Sequence, residues 1–446
     1  MAHTENALSG NRKKIGAASV GQFGEIFDFA VFGFSVPILA THFFHSSSPQ
    51  AAILSTFTVY AVAFFARPLG GLFFGYLADR IGRVRILSIT IWLMAGATAA
   101  IGFLPTFATI GIAAPILLAF CRLLQGFAMG GETSGATSYI LESAPDDRRG
   151  FWVGVVWFFG HLPNAFVAVM LAVLQFAAGP ETYSDWVWRL PFILGGLIGV
   201  VGFWMRRNLE EPAEYVEAKR TSDAQQLRDD RRASLRSMLY LLLIQPVQTV
   251  GSYLLLGFMY TFLVRQAGLD ANAALASNAI AVFVLSLFLV VGGFMADRIG
   301  RKPVLTAGAL WIACAAYPAL QFASAGTFGG ALLGQLLIGI GIGLYGGASF
   351  AAAVEFFPTS FRATGHAVSY QLTVAVFGGT TPLIAAWLVG YFGTPIAPGY
   401  YVIAIAILGV VAIQFVPETR NARLRSAAGE VEHATEAKPA TTSINV

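Results

Sequence analysis

Apolar residues in this chain gather into twelve long runs separated by polar breaks. Most runs reach the roughly 20 residues that an α-helix needs to cross the hydrocarbon of a bilayer. They cover approximately 17–40, 52–77, 86–104, 110–138, 151–177, 189–206, 238–264, 273–295, 304–323, 328–353, 365–391 and 400–416. The pattern predicts an all-α membrane protein of 12 transmembrane helices. The longest polar break, Arg207–Arg236, carries Glu210, Glu211, Glu214, Glu217, Lys219 and Arg220, and reads as a surface helix plus linker. It divides the chain into a six-helix half over 1–206, a linker over 207–237 and a second six-helix half over 238–419. The Ala/Glu/Thr/Lys-rich residues 420–446 form a tail expected to be disordered. Arg12-Lys13-Lys14 ahead of the first run resembles the start of a signal peptide. That run is too long and lacks a cleavage site, so it is expected to be a retained span.

The two halves echo each other. Gly75-Tyr-Leu-Ala-Asp79-Arg80-Ile-Gly82-Arg83-Val-Arg85-Ile-Leu87 recurs as Gly293-Phe-Met-Ala-Asp297-Arg298-Ile-Gly300-Arg301-Lys302-Pro-Val-Leu305, and eight of the thirteen positions are identical. A second echo joins Glu142, Pro145 and Arg149 to Glu355, Pro358 and Arg362. Homologous halves built of membrane spans are the signature of a transporter that rocks one half against the other.

Composition agrees with this reading. The chain is 56% hydrophobic and 12% charged, whereas a soluble domain carries roughly 25% charged residues. Its 48 glycines suit helices that approach closely in lipid. Both cysteines, Cys121 and Cys314, lie inside apolar runs, so no disulfide framework is implied. The pI near 9 does not mark a nucleic-acid partner. With the N-terminus in the cytoplasm, the terminal segments and even-numbered loops hold 24 of the 28 lysines and arginines, and the outer loops hold only Arg189 and Arg265. That bias places both termini in the cytoplasm.

Candidate chemistry rests on the ionisable groups placed inside apolar runs, each of which costs a few kcal/mol there unless paired. These are Glu25, Asp28, Arg67, Arg122, Glu132 and His161. Glu25 and Asp28 are three apart and share a helix face. Asp28, Arg67 and Arg122 fall near the middle of their spans, the depth at which transporters bind substrate. Glu25, Asp28 and Glu132 are candidate proton carriers. Arg122 begins Arg-x-x-x-Gly126-x-x-x-Gly130, a small-residue stripe on one face. Arg67 precedes Pro68 and a glycine pair expected to bend its helix, and His161 precedes Pro163-Asn164, where a helix break would open onto a cavity. The second half offers uncharged groups instead: Gln245, Gln248, Tyr253, Tyr260, Tyr345, Tyr370 and Gln371. Candidate substrate ligands are therefore Arg122, Arg67, His161, Gln248 and Tyr253. Trp92, Trp152, Trp186, Trp188, Trp204 and Trp387 mostly fall near span ends, as interfacial belts do, and Trp157 is expected to pack toward lipid. No phosphate loop and no metal-spaced His/Cys cluster is present in the sequence, so no cofactor beyond the proton is expected.

The duplicated Gly-x-Leu/Met-Ala-Asp-Arg-x-Gly-Arg loop resembles the hallmark loop of the major facilitator superfamily, over essentially the whole chain. Further segments resemble the metabolite:proton symporter family within it. They are Glu25-Ile-Phe-Asp28-Phe, Arg67-Pro68-Leu-Gly70-Gly71, Arg122-Leu-Leu-Gln125-Gly126-Phe-Ala-Met-Gly130-Gly131-Glu132, Asp185-Trp-Val-Trp188-Arg189-Leu-Pro191-Phe and Phe377-Gly-Gly-Thr-Thr-Pro382. Where members commonly carry Trp-Tyr before the first-span aspartate, this chain has Ile26-Phe27. The resemblance implies the MFS fold, no enzymatic activity, and a symport role for Arg122. It fits a monomer in a bacterial inner membrane that imports a small organic acid, such as a di- or tricarboxylate, with protons. The alternatives are a proline/betaine-type osmolyte symporter, whose coiled-coil tail this chain lacks, and an organic-acid exporter.

The loop motifs have a physical task of their own. An aspartate at the end of a span can accept bonds from the N-terminal amides of a neighbouring helix and pair with an arginine. Asp79, Arg80, Arg83, Asp297, Arg298 and Arg301, with Glu142, Arg149, Glu355 and Arg362, are thus the expected gating set. Arg80, Arg83 and Arg85 are expected at the anionic lipid surface, where they can bond carboxylates of the opposite half.

Overall fold

A computed structural model describes residues 23–24, 26–46, 48–81, 83–130, 147–206, 224–357 and 362–420. Among these residues the chain is helical apart from short connections, with no strand. Ten helices are long and apolar enough to cross a membrane, and two shorter apolar ones, Ser88–Phe103 and Val187–Val201, occupy the third and sixth positions. We number the twelve as α1 Ile26–Phe43, α2 Pro49–Ile81, α3 Arg83–Phe103, α4 Ala113–Gly130, α5 Arg149–Ala178 and α6 Leu190–Arg206. There follow α7, Ala224–Tyr253 continued through a π-turn at Leu254–Phe258 into Met259–Arg265, and α8 Ala271–Ile299. The last four are α9 Arg301–Ala323, α10 Phe328–Glu355, α11 and α12 Ala397–Gln414. Helix α11 runs from Arg362–Thr373 through a second π-turn, Val374–Gly378, into Thr381–Phe392.

Packing repeats with a period of six helices. Helix α2 packs on α4 as α8 packs on α10, and α3 packs on α6 as α9 packs on α12. Two pairs related in the same way, α5 with α8 and α2 with α11, also pack together. In lipid, helices gain little from excluding water, so close backbone approach must hold them together. Glycine supplies it. A Cβ on Gly126 would lie 1.8 Å from the Ala63 carbonyl oxygen, and one on Gly130 would lie 2.0 Å from that of Arg67. Gly70 faces the Phe127 carbonyl equally closely at 1.8 Å. The small-residue stripe of α4 is therefore its seam with α2, and Arg122 rides at one end of that seam. Between α5 and α8 the contact is Gly150 against Gly293, where an added Cβ would meet the facing carbonyl at 2.5 or 2.1 Å.

Several expectations change. Helix α5 runs unbroken through Pro163, so no helix break opens beside His161, and α2 is likewise continuous through Pro68. The irregular backbone lies instead in the π-turns of α7 and α11, which carry no proline. Helix α7 begins at Ala224, well inside the polar stretch read as a linker, and its Ser234–Arg265 portion is the apolar one. Trp157 does not face lipid. Its ring stacks on Phe350 of α10 at 3.9 Å with an interplanar angle of 8°. Trp188 is fully buried beneath His42 rather than interfacial. Residues 1–22 and the tail beyond 420 lie outside the described residues.

Candidate functional site

Three helices of the first half bring a closed polar ring to the middle of the bundle. Asp28 on α1 is buried, and its Oδ2 accepts from Arg122 Nη1 of α4 at 3.2 Å. Its other oxygen, Oδ1, accepts from Thr98 Oγ1 of α3 at 2.8 Å and from Gln125 Nε2 at 2.7 Å. Gln125 lies one turn from Arg122, accepts from Arg122 Nη1 at 2.9 Å and donates its second amide hydrogen to Thr98 Oγ1 at 2.9 Å. The carboxylate is thus held by two short neutral bonds and one long charged one.

Arg122 is fully buried, and its Nε and Nη2 have no hydrogen-bond partner among the described residues. Such orphaned donors are costly and rare in a native interior. Aromatic faces compensate in part: the guanidinium carbon sits 4.5 Å from the Phe29 ring centre, 4.3 Å from Phe32 and 5.4 Å from Tyr60. Arg67 of α2 is also buried, lies 4.4 Å from Phe29 and 4.3 Å from Phe64, and leaves its Nε without a partner. Two guanidinium groups therefore lie against Phe29, and among the described residues Asp28 is the carboxylate that faces Arg122.

Hydrogen bonds cross between the halves at both ends of the bundle. At the end carrying the duplicated loops, Asp297 of α8 accepts from the backbone amides of Gly150 and Phe151 at the N-terminus of α5, each at 2.8 Å. At the opposite end Arg265 of α7 donates to the Pro37 carbonyl of α1 at 3.1 Å, and Gln50 of α2 donates to the Ala386 carbonyl of α11 at 2.8 Å. Among the described residues, hydrogen bonds therefore join the two halves at both ends of the bundle.

Of the residues expected at the site, Asp28, Arg122 and Arg67 come together. His161 does not join them: its Nδ1 bonds the Trp157 carbonyl one turn back at 2.8 Å. Gln248 donates to Ser252 at 3.1 Å and packs against Gly346 of α10, with Oε1 unpartnered. Tyr253 meets Phe64 edge-on at 5.2 Å and covers Gly378 of α11. Glu25, Glu132 and Glu142 lie outside the described residues, as do the side chains of Asp79, Arg80, Arg83 and Arg362.

Of the described gating residues, Asp297 makes the contact with helix amides that the motif implies. Arg301 pairs within its own half: with Asp297 at 2.8 Å and with Glu355 of α10 at 2.8 and 3.1 Å. Glu355 also accepts from Thr419 at 2.5 Å. Arg298 turns onto Phe294 at 4.2 Å, and Arg149 is buried at the start of α5.

Three residues escape a reading of the sequence, and a fourth, Gln245, stands apart from the other uncharged groups of the second half only through its burial. Gln125 stands in the quoted Arg122 motif, but counting charges alone passes over it. Thr98 sits in an Ala/Gly-rich run with nothing to mark it. Gln245 is fully buried with neither amide atom partnered, and its spacing puts it on the α7 face of Thr249 and Ser252. His366 of α11 is buried and stacked on Tyr370, although it falls within an expected span and belongs with the other ionisable residues.

Repeated helix packing around buried, partly unsatisfied charge defines a membrane transporter rather than an enzyme. Comparison with known proteins agrees. The sequence profile of the Major Facilitator Superfamily matches residues 18–290, and that of the sugar (and other) transporter family matches 206–429. The proline/betaine transporter of Salmonella typhimurium is 34% identical over 442 residues, covering 96% of this chain and 87% of that protein. The citrate-proton symporter of Klebsiella pneumoniae is 35% identical over 398 residues, 88% of each chain. The crystal structure of a D-xylose-proton symporter superposes with a TM-score of 0.70 at 20% identity, over 92% of this chain and 98% of that one, a likeness of fold. The chain belongs to the Major Facilitator Superfamily.

Proposed function

We propose that this protein is a proton-coupled symporter that imports a small organic acid across the inner membrane by alternating access. The observation that carries the reading is Arg122, buried with two donor nitrogens unpartnered while its tie to Asp28 is long. A substrate carboxylate would take those donors, with Arg67, which also lies against Phe29, as a second cation for a di- or tricarboxylate. Protonation of Asp28 would release Arg122 to the substrate. Deprotonation would let the carboxylate reclaim Arg122 and expel the substrate. Glu25 and Glu132 are further candidates to relay the proton. The Asp297 clasp and its counterpart at Asp79 would govern opening of the loop-rich end, which the positive-inside bias assigns to the cytoplasm together with both termini. The protein would act as a monomer.

Uptake into proteoliposomes under an imposed pH gradient tests this, across citrate, dicarboxylates, aromatic acids, proline and betaine. Accumulation indifferent to a protonophore would sink proton coupling. The second reading, a zwitterionic osmolyte, draws on the proline/betaine relative. Its carboxylate would use the same arginine. The faces of Phe29, Phe32 and Phe64 already carry guanidinium groups, which leaves them less suited to caging a quaternary ammonium.

A further inference from the structure

Thr98 presents one hydroxyl hydrogen to two acceptors at the same distance. Asp28 Oδ1 lies 2.8 Å from Oγ1, and so does the Met94 carbonyl one turn back along α3. The same oxygen accepts from Gln125 Nε2 at 2.9 Å. A hydroxyl has one donor and two acceptor sites, so it serves only one of those acceptors at a time.

We propose that Thr98 is a positioning residue for the proton step, its hydroxyl turning between Asp28 and the Met94 carbonyl as Asp28 loses and gains a proton. The proposal rests on the reading of Asp28 as proton carrier. With Asp28 charged, Thr98 donates to Oδ1 beside Gln125, and both donors stabilise the anion. A proton arriving from water bonds to Oδ1, because Oδ2 faces the Arg122 donor. The new O–H then needs an acceptor, and Thr98 supplies it by swinging its own hydrogen to Met94. No covalent bond of Thr98 breaks. In this second arrangement Thr98 donates to Met94 and accepts from Asp28 and Gln125, so every site is filled. Each protonation state of Asp28 thus finds its partners among protein groups.

The surroundings leave this duty to Thr98. The other groups on Asp28 are donors or cations: Gln125 and Arg122 from α4, with Arg67 acting from α2. Tyr60 of α2 lies against Arg122. Gln125 Oε1 is occupied by Arg122. Helix α6 brings Gly195 against Phe27 and the Thr98 methyl, and α5 brings Phe166 against Phe27. A valine would keep that methyl contact and remove only the hydroxyl.

The experiment is infrared titration of the substrate-free protein in lipid vesicles, which needs no substrate. The carboxylic C=O band that Asp28→Asn removes belongs to Asp28. In Thr98→Val the band should move to higher wavenumber, since the acid has lost its acceptor, while Thr98→Ser should restore the native position. Thr98→Ala serves should the valine variant not fold, with the same shift expected. A band unmoved in both hydroxyl-free variants overturns the rotor while leaving Asp28 as carrier. If no band disappears in Asp28→Asn, Asp28 does not titrate, and the carrier reading falls together with the rotor.

Discussion

Asp297→Asn should loosen the loop-rich end of the transporter while sparing the central site. Asp297 makes three bonds of 2.8 Å, but the one to Arg301 stays within the second half and survives opening. Only the two backbone amides of α5 are surrendered when the halves part. Bonds to a charged acceptor contribute about 1.5 to 3 kcal/mol each against about 0.5 to 1.5 for neutral ones. Asparagine keeps one acceptor oxygen and turns an NH2 toward the other amide. The closed end should therefore lose about 2 kcal/mol relative to the open one, roughly a 30-fold change in population. Spin labels at Trp152 and Met295, both exposed on α5 and α8, would report it once the exposed native Cys314 has been changed to serine. The longer-distance population should grow, transport should slow, and equilibrium substrate binding should stay near wild type. An unchanged distance distribution in a well-folded variant, or a large loss of binding, would refute the assignment.

Arg122→Lys should abolish substrate binding despite keeping the charge, because an ammonium cannot reproduce the guanidinium fork whose Nε and Nη2 stand unpartnered beside Nη1. Arg122→Ala should also destabilise the fold, by about 3 to 5 kcal/mol, since it leaves a buried carboxylate without its cation. The double variant Asp28→Asn with Arg122→Gln should fold and fail to bind, and retained binding measured by calorimetry would move the site elsewhere. Gly126→Ala places a methyl 1.8 Å from the Ala63 carbonyl, and forcing α4 off α2 should cost about 1 to 3 kcal/mol. A thermal-shift assay should show lower stability, whereas Gly96→Ala, which meets nothing within 4 Å, should be neutral.

Run length and charge by themselves determine much of this protein. Only helices satisfy their backbone bonds within lipid, so twelve apolar runs had to become helices. A charge in hydrocarbon is costly, so Asp28, Arg67 and Arg122 stand out by type alone. The loop repeat likewise marks Asp297 as a helix clasp. What the sequence cannot supply is whom each group meets. Neutral partners cost little to bury when satisfied, so Thr98 and Gln125 leave no trace in composition, and only the crossing of α1, α3 and α4 makes them hold Asp28. Proline suggests a break at Pro163, yet that segment stays helical, and the π-turns arise instead at Leu254–Phe258 and Val374–Gly378, which contain no proline themselves. Arg301 has carboxylates on both sides to choose from in sequence. Three-dimensional packing gives it Glu355 of its own half and leaves the cross-half contact to Asp297. There the partner is the amide end of α5, a charge that belongs to the backbone and has no letter in the sequence.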